Sequence, residues 1–121
     1  MSKKNKISPQ QITCIGVVRT KNSKRKNEFK KRLRNCVILQ RVSKINYPFY
    51  INVECYLHNI FSKDADNIAK LILDSLNGVV FIDDRYCLGI NIIKRPQDCN
   101  MEEKVLITLM PDLSMGVVEY A

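Results

Sequence analysis

The chain has 121 residues, 45% of them hydrophobic, and carries twenty Lys and Arg against twelve Asp and Glu for a net charge of +8. That length suits one domain with its own core, since single domains commonly run to about 100–150 residues, and the apolar content is too high for a disordered segment. No apolar run approaches the roughly 20 residues that span a bilayer, and MSKKNKISPQ lacks the apolar stretch of a secretion signal, so a soluble, cytoplasmic protein is predicted.

Residues 1–10 are polar and basic, with Ser8-Pro9 as a breaker, and are expected to be loose, leaving 11–121 as the folded domain. Ile12 to Val18 is short, apolar and partly β-branched, which predicts a first strand covered on both faces. Arg19 to Lys26 offers nothing to bury and predicts a very basic loop. A first helix is predicted from about Asn27, as N-cap, to Gln40, with Phe29, Leu33, Cys36 and Val37 as its apolar stripe and Lys30, Lys31 and Arg34 largely off it. Loop and helix would form one positive surface. The alternative, a helix lying on an acidic membrane, fits less well because so narrow a stripe is used up by the protein's own core.

From Phe49 to His58 apolar and mostly polar residues alternate, so a strand with one apolar face is predicted. His58, the only histidine, stands at its end, where a satisfied surface role competes with a ligand role. Ile68, Ala69, Ile72, Leu73 and Leu76 then mark a second helix that stops at Asn77-Gly78. Val79 to Ile82 is an apolar approach to Asp83-Asp84. A strand is predicted at Cys87 to Lys94, a turn at Pro96 to Asn100 and a last strand at Lys104 to Met110, with the tail after Pro111 unassigned. The predicted fold is α+β: strand, helix, strand, helix, strand, strand, as a mixed sheet with two helices.

The five cysteines, Cys14, Cys36, Cys55, Cys87 and Cys99, are odd in number and lack a CxxC pair, so core packing is expected of them rather than disulfides, zinc binding or catalysis. Charge is divided unevenly. From Met1 to Lys44 there are fourteen Lys and Arg against Glu28, a balance of +13, whereas Ile45 to Ala121 holds six against eleven, a balance of −5. A basic half suits phosphates and an acidic half suits hard cations, although a solvated basic face with a loose tail would give the same count.

Most of the acid that matters surrounds the second helix. Asp64 or Asp66 would make a good N-cap, and Asp83-Asp84 could be turn residues. One cap needs only one aspartate. If several of these carboxylates converge they repel one another, and a divalent cation makes such a cluster favourable; all-oxygen ligands suit Mg²⁺ or Mn²⁺ rather than zinc. Lys70 follows Asp66 and precedes Asp74 by one helical repeat each, so a surface ion pair is one role open to it.

Asp64-x-Asp66-Asn67-x-x-Lys70, the helix running to Asn77-Gly78 and the apolar approach to Asp83-Asp84 together resemble the RusA family of Holliday junction resolvases, and the likeness covers roughly Phe49 to Met110. The resemblance implies a homodimeric, Mg²⁺-dependent endonuclease that cuts two strands of a four-way DNA junction symmetrically. It makes Asp64, Asp66 and Asp84 the metal-binding acids and Lys70 the catalytic lysine, with Asp83 a neighbour. Two stretches depart from the family pattern. Val17-Val18-Arg19-Thr20-Lys21-Asn22 replaces a proline-rich turn, and His58 to Lys63 holds Lys63 in place of several arginines. Lys21, Lys24, Arg25, Lys26, Lys30, Lys31 and Lys63 are therefore the expected phosphate contacts. A basic nucleic-acid-binding module without catalysis is the competing reading. On the nuclease reading, Asp64, Asp66 and Asp84 should lie within reach of one ion.

Overall fold

The computed structural model describes residues 8–112, so the expected loose segment at 1–10 lies largely outside the described residues. The chain runs β1 (Gln10–Ile15), α1 (Ser23–Leu39), β2 (Phe49–Leu57), α2 (Ala65–Leu76), a single 3₁₀ turn (Asp84–Tyr86), β3 (Cys87–Pro96) and β4 (Lys104–Pro111). The predicted order of elements is the observed one. Among the described residues no helix is long and apolar enough to cross a membrane.

The four strands stand in the order β1-β4-β2-β3. β4 is antiparallel to both of its neighbours, with Ile12 opposite Ile107 and Val53 opposite Ile107, while β2 and β3 are parallel. β1, β2 and β3 therefore point the same way, and α1 and α2 are the two crossovers that parallel strands require. The alternation seen in the sequence of β2 is realised: Phe49, Ile51, Val53, Cys55 and Leu57 are all buried. They share one core with Ile12 and Cys14 of β1, Val105, Ile107 and Leu109 of β4, and the inner faces of both helices. The sheet is thus covered by helices on one face.

β1 differs from the prediction. It is an edge strand with only Ile12 and Cys14 buried, while Gln11, Thr13 and Ile15 are exposed, so it is covered on one face and not two. It ends at Gly16, whose φ of +125° favours glycine, and an added Cβ there would stand 3.0 Å from Cζ of Arg32. Val17 and Val18 belong to the loop beyond. α1 begins earlier than predicted. Asn22, with a left-handed φ of 68°, accepts the backbone N–H groups of Lys24 and Arg25 through its side chain, so the predicted basic loop becomes the helix's first turn from Ser23 onward. Phe29, Leu33 and Val37 are its buried stripe, each contributing about 1.5–3 kcal/mol by leaving water, and Cys36 is half-buried.

In α2 the buried side chains are Ile68, Leu71, Ile72, Ser75 and Leu76, with Ser75 satisfied by donating to the Leu71 carbonyl at 2.6 Å. Arg34 of α1 donates to the carbonyls of Ser75 (2.9 Å) and Asp74 (3.2 Å), which ties α1 to the C-terminal end of α2 with a cation where the helix dipole favours one. The connectivity has one functional consequence. The carboxyl ends of β1 and β2 and the N-termini of both helices gather at one end of the sheet, whereas β3 begins at the other.

Candidate nuclease site

At the end of the sheet where both helices begin, the chain after β1 and the chain after β2 come together. Val18, Arg19, Thr20, Lys21, Asn22 and Arg25 face Ser62 and Lys63 across a groove of about 240 Å³. Arg32 supports the first of these loops: its guanidinium donates to the Val17 carbonyl and lies 5.2 Å from the centre of the Phe29 ring. The second loop is folded by Asn59, whose side chain accepts the Phe61 backbone N–H at 2.9 Å and whose carbonyl accepts the Ser62 hydroxyl at 2.7 Å. Lys94 reaches across from β3 and donates to the Lys63 carbonyl at 2.9 Å, which secures the residue immediately before Asp64.

Asp64 occupies the N-cap position of α2 with extended backbone (φ −82°, ψ 139°), and its side chain makes no capping hydrogen bond. The carboxylate is thus not spent on the helix. Asp66 lies in the first turn, exposed like Asp64. The surface pairing open to Lys70 is not formed. Asp74 instead meets Lys30 of α1 at 3.9 Å, and Lys70 lines a second cavity, of about 130 Å³, with Thr20, Lys26, Lys30, Asn67, Leu71 and Asp74. The two cavities share Thr20; neither is lined by Asp64 or Asp66, although Lys63 of the first precedes Asp64 and Asn67 of the second follows Asp66 in the chain. Lys24, Lys30, Lys31 and Arg34 line a further shallow groove, of about 410 Å³, on the outer side of α1.

Asp84 is elsewhere, and this corrects the expectation that all three acids meet at one ion. Among the described residues no group of three or more His, Cys, Asp or Glu side chains is close enough to hold a metal ion. The reason is topological. Phe49 pairs with Cys87 and Leu57 with Pro96 in the parallel ladder, so the start of β3 adjoins the start of β2. Asp84 stands in the 3₁₀ turn just before Cys87, while Asp64 follows the far end of β2, a strand length of roughly 25 Å away. Asp83 caps that 3₁₀ turn by accepting the Arg85 backbone N–H at 2.9 Å, so of the adjacent pair one carboxylate has a structural task. Carboxylate oxygens are the right donors for Mg²⁺ or Mn²⁺, but of the three acids only Asp64 and Asp66 stand at the end of the sheet where the helices begin.

His58 is engaged on the other side of its loop. Its backbone N–H donates to Oε2 of the buried Glu103 at 2.8 Å, and Nε2 lies 2.7 Å from the Met101 carbonyl, so it joins β2 to the turn before β4. Burial pushes the Cys55 thiol up to about 12 and, helped by Cys36, the Cys14 thiol up to about 11; Cys87 is raised as well. Cys14 and Cys55 are core residues as expected, Cys36 and Cys87 are half-buried, and Cys99 is exposed, against the expectation of packing. Sequence reading passed over Arg19, which lines the groove, and Lys94, whose place near the end of a strand, between Ile93 and Arg95, gives no hint that it reaches a loop.

The family model described as Endodeoxyribonuclease RusA matches residues 5–109. The chain belongs to the RusA family. It is an endodeoxyribonuclease, a Holliday junction resolvase that hydrolyses phosphodiester bonds. A comparison with curated proteins matched nothing. The resolvase places its helix N-termini and its densest basic loop at one end of the sheet, an arrangement suited to phosphate oxygens.

Proposed function

We propose that this resolvase acts as a homodimer that uses Mg²⁺, with Mn²⁺ as a substitute, to cut opposed strands of four-way DNA in recombination and repair. The observation that supports the reading is the basic groove of the Arg19–Arg25 loop and Lys63 beside the start of α2, where Asp64 makes no capping hydrogen bond and Asp66 is exposed.

Asp64 and Asp66 are assigned to hold the cation; Asp84, at the other end of the sheet within one chain, could be the third acid only across the proposed dimer. When bound, the cation supplies a water of lowered pKa and charge stabilisation at the scissile phosphate. The chain's own side chains do the rest. Lys70, one turn into α2, offers a fixed positive charge to a phosphate oxygen as negative charge develops. Lys21, Arg25 and Lys63 hold the flanking backbone, Lys26 and Lys30 extend the contact toward Lys70, and Lys24 and Lys31 carry it along α1. Lys30 shares its charge with Asp74, so its release to DNA requires breaking a pair at 3.9 Å that is exposed on the aspartate side.

The test is cleavage of a synthetic four-way junction with Mg²⁺ or with chelator, comparing the wild type with Asp66→Asn. The variant is expected to bind the junction as before and to cut about a hundredfold or more slowly, the scale at which losing charge stabilisation shows. Cutting by Asp66→Asn at the wild-type rate, or wild-type cutting in chelator, would refute the assignment.

A further inference from the structure

β4 pairs with β1 on one side and with β2 on the other, so its first residue stands between the ends of both. Lys104 is opposite Ile15, the last residue of β1, and opposite Tyr56, next to the last of β2. Glu103, one residue earlier, lies where both neighbours leave the sheet. Its backbone carbonyl accepts the Gly16 N–H at 2.8 Å, and Oε2 of its carboxylate accepts the His58 backbone N–H at 2.8 Å. Gly16 is the first residue after β1 and His58 the first after β2. The chains that continue from these two points are the walls of the basic groove, residues 18–25 on one side, Ser62 and Lys63 on the other. Among the described residues Glu103 is the one charged side chain that is buried, at 6% exposure. Withdrawing a carboxylate from water is costly unless hydrogen bonds replace its hydration, and an apolar side chain would fill the same space at less cost.

We infer that Glu103 is a positioning residue of the nuclease: by bonding the first residue beyond each neighbouring strand, it fixes the two walls of the groove relative to each other and sets the placement of Lys63 and Asp64 against the DNA backbone. The inference rests on the reading of Lys63 and Asp64 as site residues. Glu103 acts through the chain, and the turn that carries it is fixed in its own right. Gln97 donates its backbone N–H to the Leu57 carbonyl at 2.8 Å and its side-chain amide to the Glu102 carbonyl at 2.9 Å, and Nε2 of His58 lies 2.7 Å from the Met101 carbonyl. At the far end of the second wall, Lys94 holds the Lys63 carbonyl. Residues 58–63 are thus anchored at both ends, and Asp64 follows directly. The bond to Gly16 comes from the Glu103 backbone and survives a change of side chain, so a side-chain variant releases the His58 wall alone.

Two pairs of variants test this at a temperature where each is folded by circular dichroism. Glu103→Leu removes the acceptor while filling the space, and Glu103→Gln keeps an acceptor oxygen at the same reach. Single-turnover cleavage of a four-way junction at saturating protein should fall about tenfold to a hundredfold for Glu103→Leu, the scale of a small misplacement at a reacting group, and should be mostly retained by Glu103→Gln. Amide exchange read by mass spectrometry should quicken across residues 58–64 in the Leu variant and not in the Gln variant. The second pair removes the donor of the same bond: His58→Pro, which lacks the N–H, should cut slowly, and His58→Ala, which keeps it, should cut near the wild-type rate. This pair carries the test if Glu103→Leu does not fold. Where it folds, combining it with His58→Pro should be no slower than the slower single change, since one bond is broken in either case. Faster exchange with full-rate cutting in Glu103→Leu overturns the inference and leaves the nuclease reading standing. So do a Gln variant as slow as the Leu variant, equal rates for His58→Pro and His58→Ala, or fully additive losses. Wild-type cutting by Asp64→Asn would instead overturn the reading on which the inference rests.

Discussion

Lys94→Met tests how β3 supports the groove without touching DNA chemistry. The substitution keeps most of the aliphatic stem and removes the ammonium that donates to the Lys63 carbonyl at 2.9 Å. A charge-assisted hydrogen bond of this kind in a half-buried setting contributes about 1–2 kcal/mol, and a domain of this size shifts its melting point by about 4 °C per kcal/mol, so a fall of about 4–8 °C is expected. The effect on cleavage should be larger than that on folding. Lys63 immediately precedes Asp64, and a displacement of about 1 Å at a catalytic group costs on the order of a hundredfold in rate. Lys94 is thus a positioning residue. Single-turnover cleavage at saturating protein should fall ten- to a hundredfold, by roughly that reasoning, with junction affinity little changed, and Lys94→Arg should recover most of it. A variant that melts earlier but cuts at the full rate would show that the Lys63 carbonyl needs no tether, and the positioning argument would be refuted.

Replacing Lys21, Arg25, Lys26 and Lys63 together by Gln should lower the slope of log affinity against log salt by about 3–4, since each duplex phosphate contact contributes about 0.9; an unchanged slope in filter binding removes them from the interface. Glu54 accepts Nε of Arg95 at 2.6 Å and the Tyr56 hydroxyl at 3.1 Å, and the Arg95 hydrogen bond, then that of Tyr56, holds its carboxyl below the ordinary value. A depressed carboxylate contributes stability that is present above its unfolded pKa and is lost as the pH falls through the folded one. Urea melts should therefore show Glu54→Gln less stable than the wild type at pH 7 and the gap closing under strong acid. The thiols should alkylate in an order set by burial: exposed Cys99 first, and Cys55, buried and pushed up to about 12, only on unfolding, which mass spectrometry of iodoacetamide-treated protein reads directly.

Where local chemistry decided the structure, it was legible in the chain. The alternation read from Phe49 to His58 named β2, which ends one residue earlier at Leu57, because a sheet with one covered face demands that period. The stripe Phe29, Leu33 and Val37 named the inner face of α1, and Gly78, at φ 82°, marked the end of α2 as Asn77-Gly78 suggested. The start of α1 was hidden because its first turn is all polar and its cap is Asn22 in a left-handed conformation, which no apolar pattern reports. The exposed face of β1 was hidden for a different reason: Val17 and Val18 extend an apolar run that Gly16 has already turned out of the sheet.

The candidate site divides along the same line. Asp64, Asp66 and Lys70 lie within two helical turns of one another, so their spacing in the chain is close to their spacing in space, and the motif could be read directly. Asp84 is separated from them by α2, and a helix that connects parallel strands carries the chain from one end of the sheet to the other. Here the linear motif joins residues that one chain holds at opposite ends of its sheet. Asp83 has a clear purpose, capping the turn before β3, and that turn presents Asp84 outward beside an uncovered strand edge. Asp83 and Asp84 thus divide the pair between them: one carboxylate caps the turn, and the other is left exposed, which a sequence reading of two adjacent aspartates could not distinguish.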